Sequence, residues 1–227
     1  MKKVLGVITL SLFALTAFGA NNDMVLGGYD PGSTVQSQTS ELSQSLAQSA
    51  SPNLFHDPRD PVAGNPNGSL TLVEFFDYRC SHCQAMNSVI IDIIRKNPNL
   101  RVVFKEFPIG GAISEYASQA ALAALKQGKY VAFHDAVLAL GVNVTNETVL
   151  ETAKKLGLDM TQLKKDMASE SVTHIISANQ SLGAELHISG TPSFFLNRDD
   201  SRRVLMVAGE VTQNYMQDTI NQMKFVS

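Results

Sequence analysis

The sequence predicts an α/β fold: a β-α-β unit, a block of helices, then a β-β-α unit. Three observations carry this reading. First, the apolar run Leu70-Thr71-Leu72-Val73-Glu74-Phe75-Phe76 leads into a helical pattern in which Ala85, Met86, Val89, Ile90, Ile93 and Ile94 recur on one face; residues 100–107 then alternate and carry β-branched and aromatic side chains. Second, residues 116–182 carry helical signals alone. Third, two short strand runs, 193–196 and 204–208, precede a closing helical pattern at 211–225.

The chain opens with Met1-Lys2-Lys3, an almost wholly apolar stretch over residues 4–18, and small residues at Ala17 and Gly19. A short positive start, an apolar centre and small residues before a cut are the layout of a secretory signal peptide. Residues 1–19 are read as that signal, cleaved after Gly19, so the mature protein is exported. A membrane anchor fits less well, because the run is short for a bilayer and no basic stop follows it. The 227 residues are 44% hydrophobic and 17% charged, with a formal net charge of −3. Those values suit a soluble globular protein. No block of Lys and Arg marks a nucleic-acid or anionic membrane surface, so nucleic acid is not an expected partner.

Residues 20–53 form a polar extension rich in Ser, Gln, Thr and Gly, broken at Gly27-Gly28 and Pro31-Gly32. Val35, Thr39, Leu42, Leu46 and Ser49 step by four, three, four and three, the spacing of a short a/d seam. Two readings stay open: a flexible linker, or a short helix that pairs with its copy in another subunit. The folded domain is expected over residues 54–227, entered through turn-rich residues 56–68. Pro98 ends the first helix. Further helices are expected at 116–125, stopped by Gly128; around Tyr130, Phe133, His134, Val137 and Leu138; from a cap at Asn146; from a cap at Asp159 with Gln162 in the capping-box place; and around Val172, Ile175, Ile176, Asn179 and Leu182. A thioredoxin-like sheet split by a helical insertion at about 112–186 fits this order.

Both cysteines of the chain, Cys80 and Cys83, lie where the first strand ends and its helix begins. A Cys-x-x-Cys bridge closes a very short loop, so it removes little entropy from the unfolded chain. It is a poor staple and a good redox switch. The free N–H groups and positive dipole end of the helix favour an anion at Cys80, and the thiolate is the nucleophilic form. Cys80 is therefore read as the attacking, low-pKa thiol. Cys83, one turn further in, is read as the partner that expels a bound substrate and re-forms the bridge. His82, between them, favours the Cys80 thiolate by charge or by a ring N–H. A structural zinc site would need four ligands, and His56, His134, His174 and His187 form no metal-like pair, so no metal is expected. Glu74 sits in an apolar strand, where a carboxylate needs a partner; Lys105 on the next strand is the candidate, unless Glu106 is the inward residue there. Strand alternation also allows Glu74 to point outward.

With these residues in place, the chain resembles the DsbA-like thiol–disulfide oxidoreductases of the bacterial periplasm, from about residue 53 to the C-terminus. The matching features are Glu74-Phe75-Phe76 ahead of the cysteines, the Cys80-Ser81-His82-Cys83 centre, and Gly190-Thr191-Pro192-Ser193-Phe194-Phe195. The resemblance implies a cis Pro192 facing the cysteines with Thr191 beside it, whose backbone would hold an extended substrate peptide. It implies Glu74 as a proton relay to Cys83, and no cofactor beyond the redox-active Cys80–Cys83 disulfide. Implied partners are unfolded or misfolded exported proteins and a membrane redox partner, and the implied location is the periplasm. Ser81-His82 departs from the family's commoner Pro-His. The polar extension looks like that of exported DsbA-like and DsbC-like proteins that oligomerise through an added N-terminal segment, which implies a homodimer and isomerase as well as oxidase activity. The rival function is a non-catalytic metal-binding or holdase protein that uses the thiol pair as ligands.

Overall fold

The computed structural model describes residues 45 and 47–224. The expected signal peptide and most of the a/d seam lie outside the described residues. Residues 47–49 are helical and lead into α1 (Ser51–Phe55). The order then runs β1 (Val62–Gly64), β2 (Leu70–Phe76), α2 (Ser81–Lys96), β3 (Leu100–Glu106), α3 (Ala112–Lys126), α4 (Tyr130–Leu138), a 3₁₀ turn (Gly141–Asn143), α5 (Asn146–Lys155), α6 (Met160–Met167), α7 (Glu170–Glu185), β4 (Ser193–Arg198), β5 (Val204–Ala208) and α8 (Gln213–Lys224). This is the thioredoxin-like α/β order that the sequence predicts.

The sheet runs β1-β3-β2-β4-β5. β2 and β3 are parallel, as the helix between them requires, and the other three pairings are antiparallel. β2 is central and every one of its residues is buried. Side chains alternate along a strand, so β2 feeds two separate cores. Leu70, Leu72 and Phe76 join the core made with α2, the helical block and α8. Val73 and Phe75 join the opposite core, with Leu54 and Phe55 of α1, Leu182 of α7, Val103 and Phe195. Gly183 lets α7 come close on that side, since a Cβ there would lie 2.4 Å from the ring of Phe107.

Several local expectations change. β1 is a strand inside the turn-rich entry, paired antiparallel with β3 through Val62–Val103 and Ala63–Val102. Ala47 and Ala50 are buried in the same core as Phe75, so the packed body starts upstream of residue 54. Thr145, not Asn146, caps α5: its hydroxyl accepts from Thr148 N, and Thr148 Oγ1 accepts from Thr145 N, a reciprocal capping box. Asp159 does cap α6, through Thr161 N and Gln162 N. The Gln162 side chain reaches forward to Asp166 Oδ2 at 2.7 Å, so it closes no capping box.

Candidate active site

Cys80 is the N-cap residue of α2, with extended backbone angles of φ −80° and ψ 115°. Its N–H donates to Asp77 O at 3.1 Å, and its carbonyl accepts from Gln84 N at 3.1 Å. Cys80 therefore stands at the positive dipole end of a 16-residue helix, although its side chain takes no capping hydrogen bond from the helix N–H groups. Cys80 is partly exposed and Cys83 is buried, and both are thiols in this structure. The Cys80 thiol donates to Thr191 O at 3.2 Å. The loop before β4 thus meets the helix terminus across 111 residues of sequence. The Thr191–Pro192 bond is cis, and Pro192 is buried. Ser81 and His82 are exposed on the first turn of α2.

Beneath this surface lies Glu74. It shares its face of β2 with Leu72 and Phe76, so it points toward α2 and is 2% exposed. Burial pushes its carboxyl up to about 8. Cys83 is pushed well above the usual cysteine range, first by burial and then by the charge of Glu74. The two groups therefore feel each other, and each is easier to keep protonated than in water.

Lys105 corrects the expected pairing. In the parallel register Glu74 lies beside Phe104 and Phe75 beside Lys105, which puts Lys105 on the far face of the sheet. There it forms a buried ion pair with Asp60 and donates to Asn53 O at 2.6 Å. The inward residue of that strand is Glu106, held at 0% exposure. Its Oε1 accepts from Tyr130 OH at 2.6 Å and Tyr78 OH at 3.1 Å. Burial holds Glu106 up at about 8 despite these donors, and holds the neighbouring His134 down at about 3. The Tyr78 hydroxyl also lies 3.3 Å from His134 Nδ1.

Two acidic residues that sequence reasoning passed over shape the site. Asp77 is 1% exposed and collects four donors. Arg79 N and Ser114 Oγ donate to Oδ1, and Ile109 N and Gly110 N to Oδ2, all at 2.7 Å. One carboxylate thus ties the turn before Cys80 to the β3–α3 loop and the start of α3. Gly110 is required there, because a Cβ would lie 2.5 Å from Ser114 Oγ and 3.1 Å from both Asp77 oxygens. The second is Glu210, after β5, whose Oε2 is 2.9 Å from His82 Nδ1. His82 and Glu210 line an open groove of about 620 Å³ with Val89, Gly209, Val211 and Thr212.

The profile of the DSBA-like thioredoxin domain matches residues 71–221, more than half of the chain. The protein belongs to the DSBA-like thioredoxin domain family. A thioredoxin-like oxidoreductase from Silicibacter pomeroyi DSS-3 superposes with a TM-score of 0.71 at 39% identity, over 78% of this chain and 98% of that one. BcfH of Salmonella enterica Typhimurium superposes with a TM-score of 0.73 at 30% identity, over 84% of each chain. Among curated relatives, the Na(+)/H(+) antiporter NhaA 3 of Salinispora tropica is 28% identical over 144 residues. That alignment takes in 62% of this chain but only 22% of the antiporter's length. As a DSBA-like protein the chain sits in a family of thiol–disulfide oxidoreductases, and its Cys-x-x-Cys lies at the start of α2.

Proposed function

We propose that the protein is a periplasmic thiol–disulfide oxidoreductase that forms, and in its reduced state rearranges, disulfides in exported proteins. The observation that carries this is the difference in setting between the cysteines: Cys80 partly exposed at the helix N-terminus and bonded to Thr191 O, Cys83 buried above Glu74.

In the oxidising direction a substrate thiolate attacks Cys80 Sγ of the Cys80–Cys83 disulfide. The internal S–S bond breaks, a mixed disulfide forms on Cys80, and Cys83 leaves as a thiolate. A buried thiolate is costly, so Cys83 takes up a proton, for which Glu74 is the adjacent source. A second substrate thiolate then attacks the substrate sulfur of the mixed disulfide and releases the Cys80 thiolate. The substrate dithiolate loses two electrons and the protein gains them; the proton on Cys83 is the one Glu74 gave up, and the substrate's own thiol protons have gone to solvent. A membrane redox partner would take the electrons to restore the disulfide. In isomerisation the reduced Cys80 attacks a wrong substrate disulfide, and the substrate's own thiol resolves it without net oxidation. The groove beside His82 and the Thr191 backbone are where an extended substrate segment would lie. The polar N-terminal extension is the segment through which two copies would assemble.

The test is exchange on reduced and on scrambled substrate, with Cys80→Ser as control. Turnover in the wild type and none in the variant supports this reading. Equal turnover in both defeats it. Mass in solution before and after removal of residues 21–44 tests the assembly; a monomer in both cases removes the homodimer from the account.

A further inference from the structure

The exchange steps leave the carboxylate that holds His82 idle. Glu210 sits on the turn between β5 and α8, flanked by Gly209 and Val211, and bonds His82 across 128 residues of sequence. A carboxylate has no proton to give, so His82 Nδ1 carries the proton whenever this bond is made. The bond therefore selects one tautomer of a neutral ring and one orientation of either form, with Nε2 turned away from Glu210. His82 belongs to the turn of α2 that begins at Cys80. Its anchor comes from a different element, so the ring is held from outside the helix that carries it.

We infer that Glu210 is a positioning residue for the redox pair: it fixes the orientation of the His82 ring on the turn of α2 that Cys80 caps and, through that ring, sets the balance between disulfide and dithiol. The inference rests on the oxidoreductase reading above. When His82 is protonated, Nδ1–H bonds Glu210 and Nε2–H stays free; that cation on the turn capped by Cys80 stabilises the thiolate of the reduced form, which makes the centre a stronger oxidant. The side chains of His82 and Glu210 are 65% and 49% exposed, so solvent screens their coupling. The equilibrium should respond by about two- to fivefold, the range for an exposed pair. The same exposure means that neither side chain supports the core.

The test equilibrates the full-length protein with glutathione, one protein disulfide and two reduced glutathiones giving one protein dithiol and one glutathione disulfide. Wild type, Glu210→Ala, His82→Ala and the double variant are compared, with thermal unfolding to show that each is folded. Glu210→Ala should move the equilibrium toward the protein disulfide by about two- to fivefold when His82 is present and leave it unmoved when His82 is Ala. An equal shift in both backgrounds would mean that Glu210 acts on Cys80 directly, and no shift in either would mean that the bond has no role; both overturn the inference. A wild-type protein that exchanges no electrons with glutathione is a different result, since it brings down the oxidoreductase reading itself.

Discussion

The two faces of the sheet treat buried charge in opposite ways, though β3 contributes to both. On the far face, Lys105 of β3 meets Asp60 and the carbonyl of Asn53, and Arg101 Nη1 reaches Phe55 O at 2.8 Å. Charge there is matched by charge, and the product is mechanical: the segment around α1 is pinned to the sheet. On the near face, Glu74 and Glu106 are buried with no cation beside them among the described residues, and burial lifts both to about 8. A neutralised pair holds a position. An unmatched acid holds a proton it can give up near neutral pH, and that is what the surroundings of a buried thiol such as Cys83 require. In the proposed reaction this difference separates scaffold from chemistry across the parallel pair β2–β3.

The sharpest way to break the comparison is to remove the cation from the far face. Lys105→Ala leaves Asp60 buried without a partner charge and should cost about 3–5 kcal/mol in chemical denaturation. Exchange per folded molecule should stay the same, because Lys105 lies across the sheet from Cys83. A loss of exchange larger than the loss of folded protein would show that the faces are not separate.

Asp77→Asn comes next. It replaces one acceptor oxygen with an NH₂ group facing backbone N–H donors, and should destabilise the protein by about 2–3 kcal/mol. Because the loop ahead of Cys80 depends on these bonds, hydrogen exchange should rise at residues 79 and 109–110 before it rises in β2.

Glu74→Gln gives the smallest stability change and the most telling sign. The folded carboxyl is raised to about 8 from 4.5, so the folded chain binds more protons than the unfolded one between those values. Its contribution is present below pH 4.5 and is lost as pH rises toward 8. Wild-type stability should therefore fall across that window, more gently in Glu74→Gln, and at pH 8–9 the variant should be the more stable by about 1–3 kcal/mol. The same variant should resolve a mixed disulfide on Cys80 about tenfold more slowly or worse. Parallel pH–stability curves for the two proteins would show that Glu74 is not the proton holder described here.

Much of this was legible in the chain. β2, α2 and β3 are long enough for their periodicity to show, and the two cysteines mark the junction between strand and helix. β1 was not legible because three residues among turn formers carry no period; it exists only because β3 offers it an edge. Lys105 and Glu106 are neighbours, so alternation sends one to each face, and only the register of β2 against β3 decides which. Thr145 and Asn146 are both capable caps, and the local backbone selects Thr145. Asp77 and Glu210 were out of reach for a different reason. Three of the four donors to Asp77 lie 32–37 residues away and the partner of Glu210 lies 128 away, so no local pattern reports the role of either.

The claim on which the rest depends is that Cys80 attacks and Cys83 resolves. The direct measurement is to present Cys83→Ala and Cys80→Ala, each reduced, with a disulfide-bonded protein and to map the adducts by mass spectrometry. The account predicts a lasting mixed disulfide at Cys80 in the first variant and essentially none at the buried Cys83 in the second. Adducts of equal yield in both, or an adduct confined to Cys83, would contradict it.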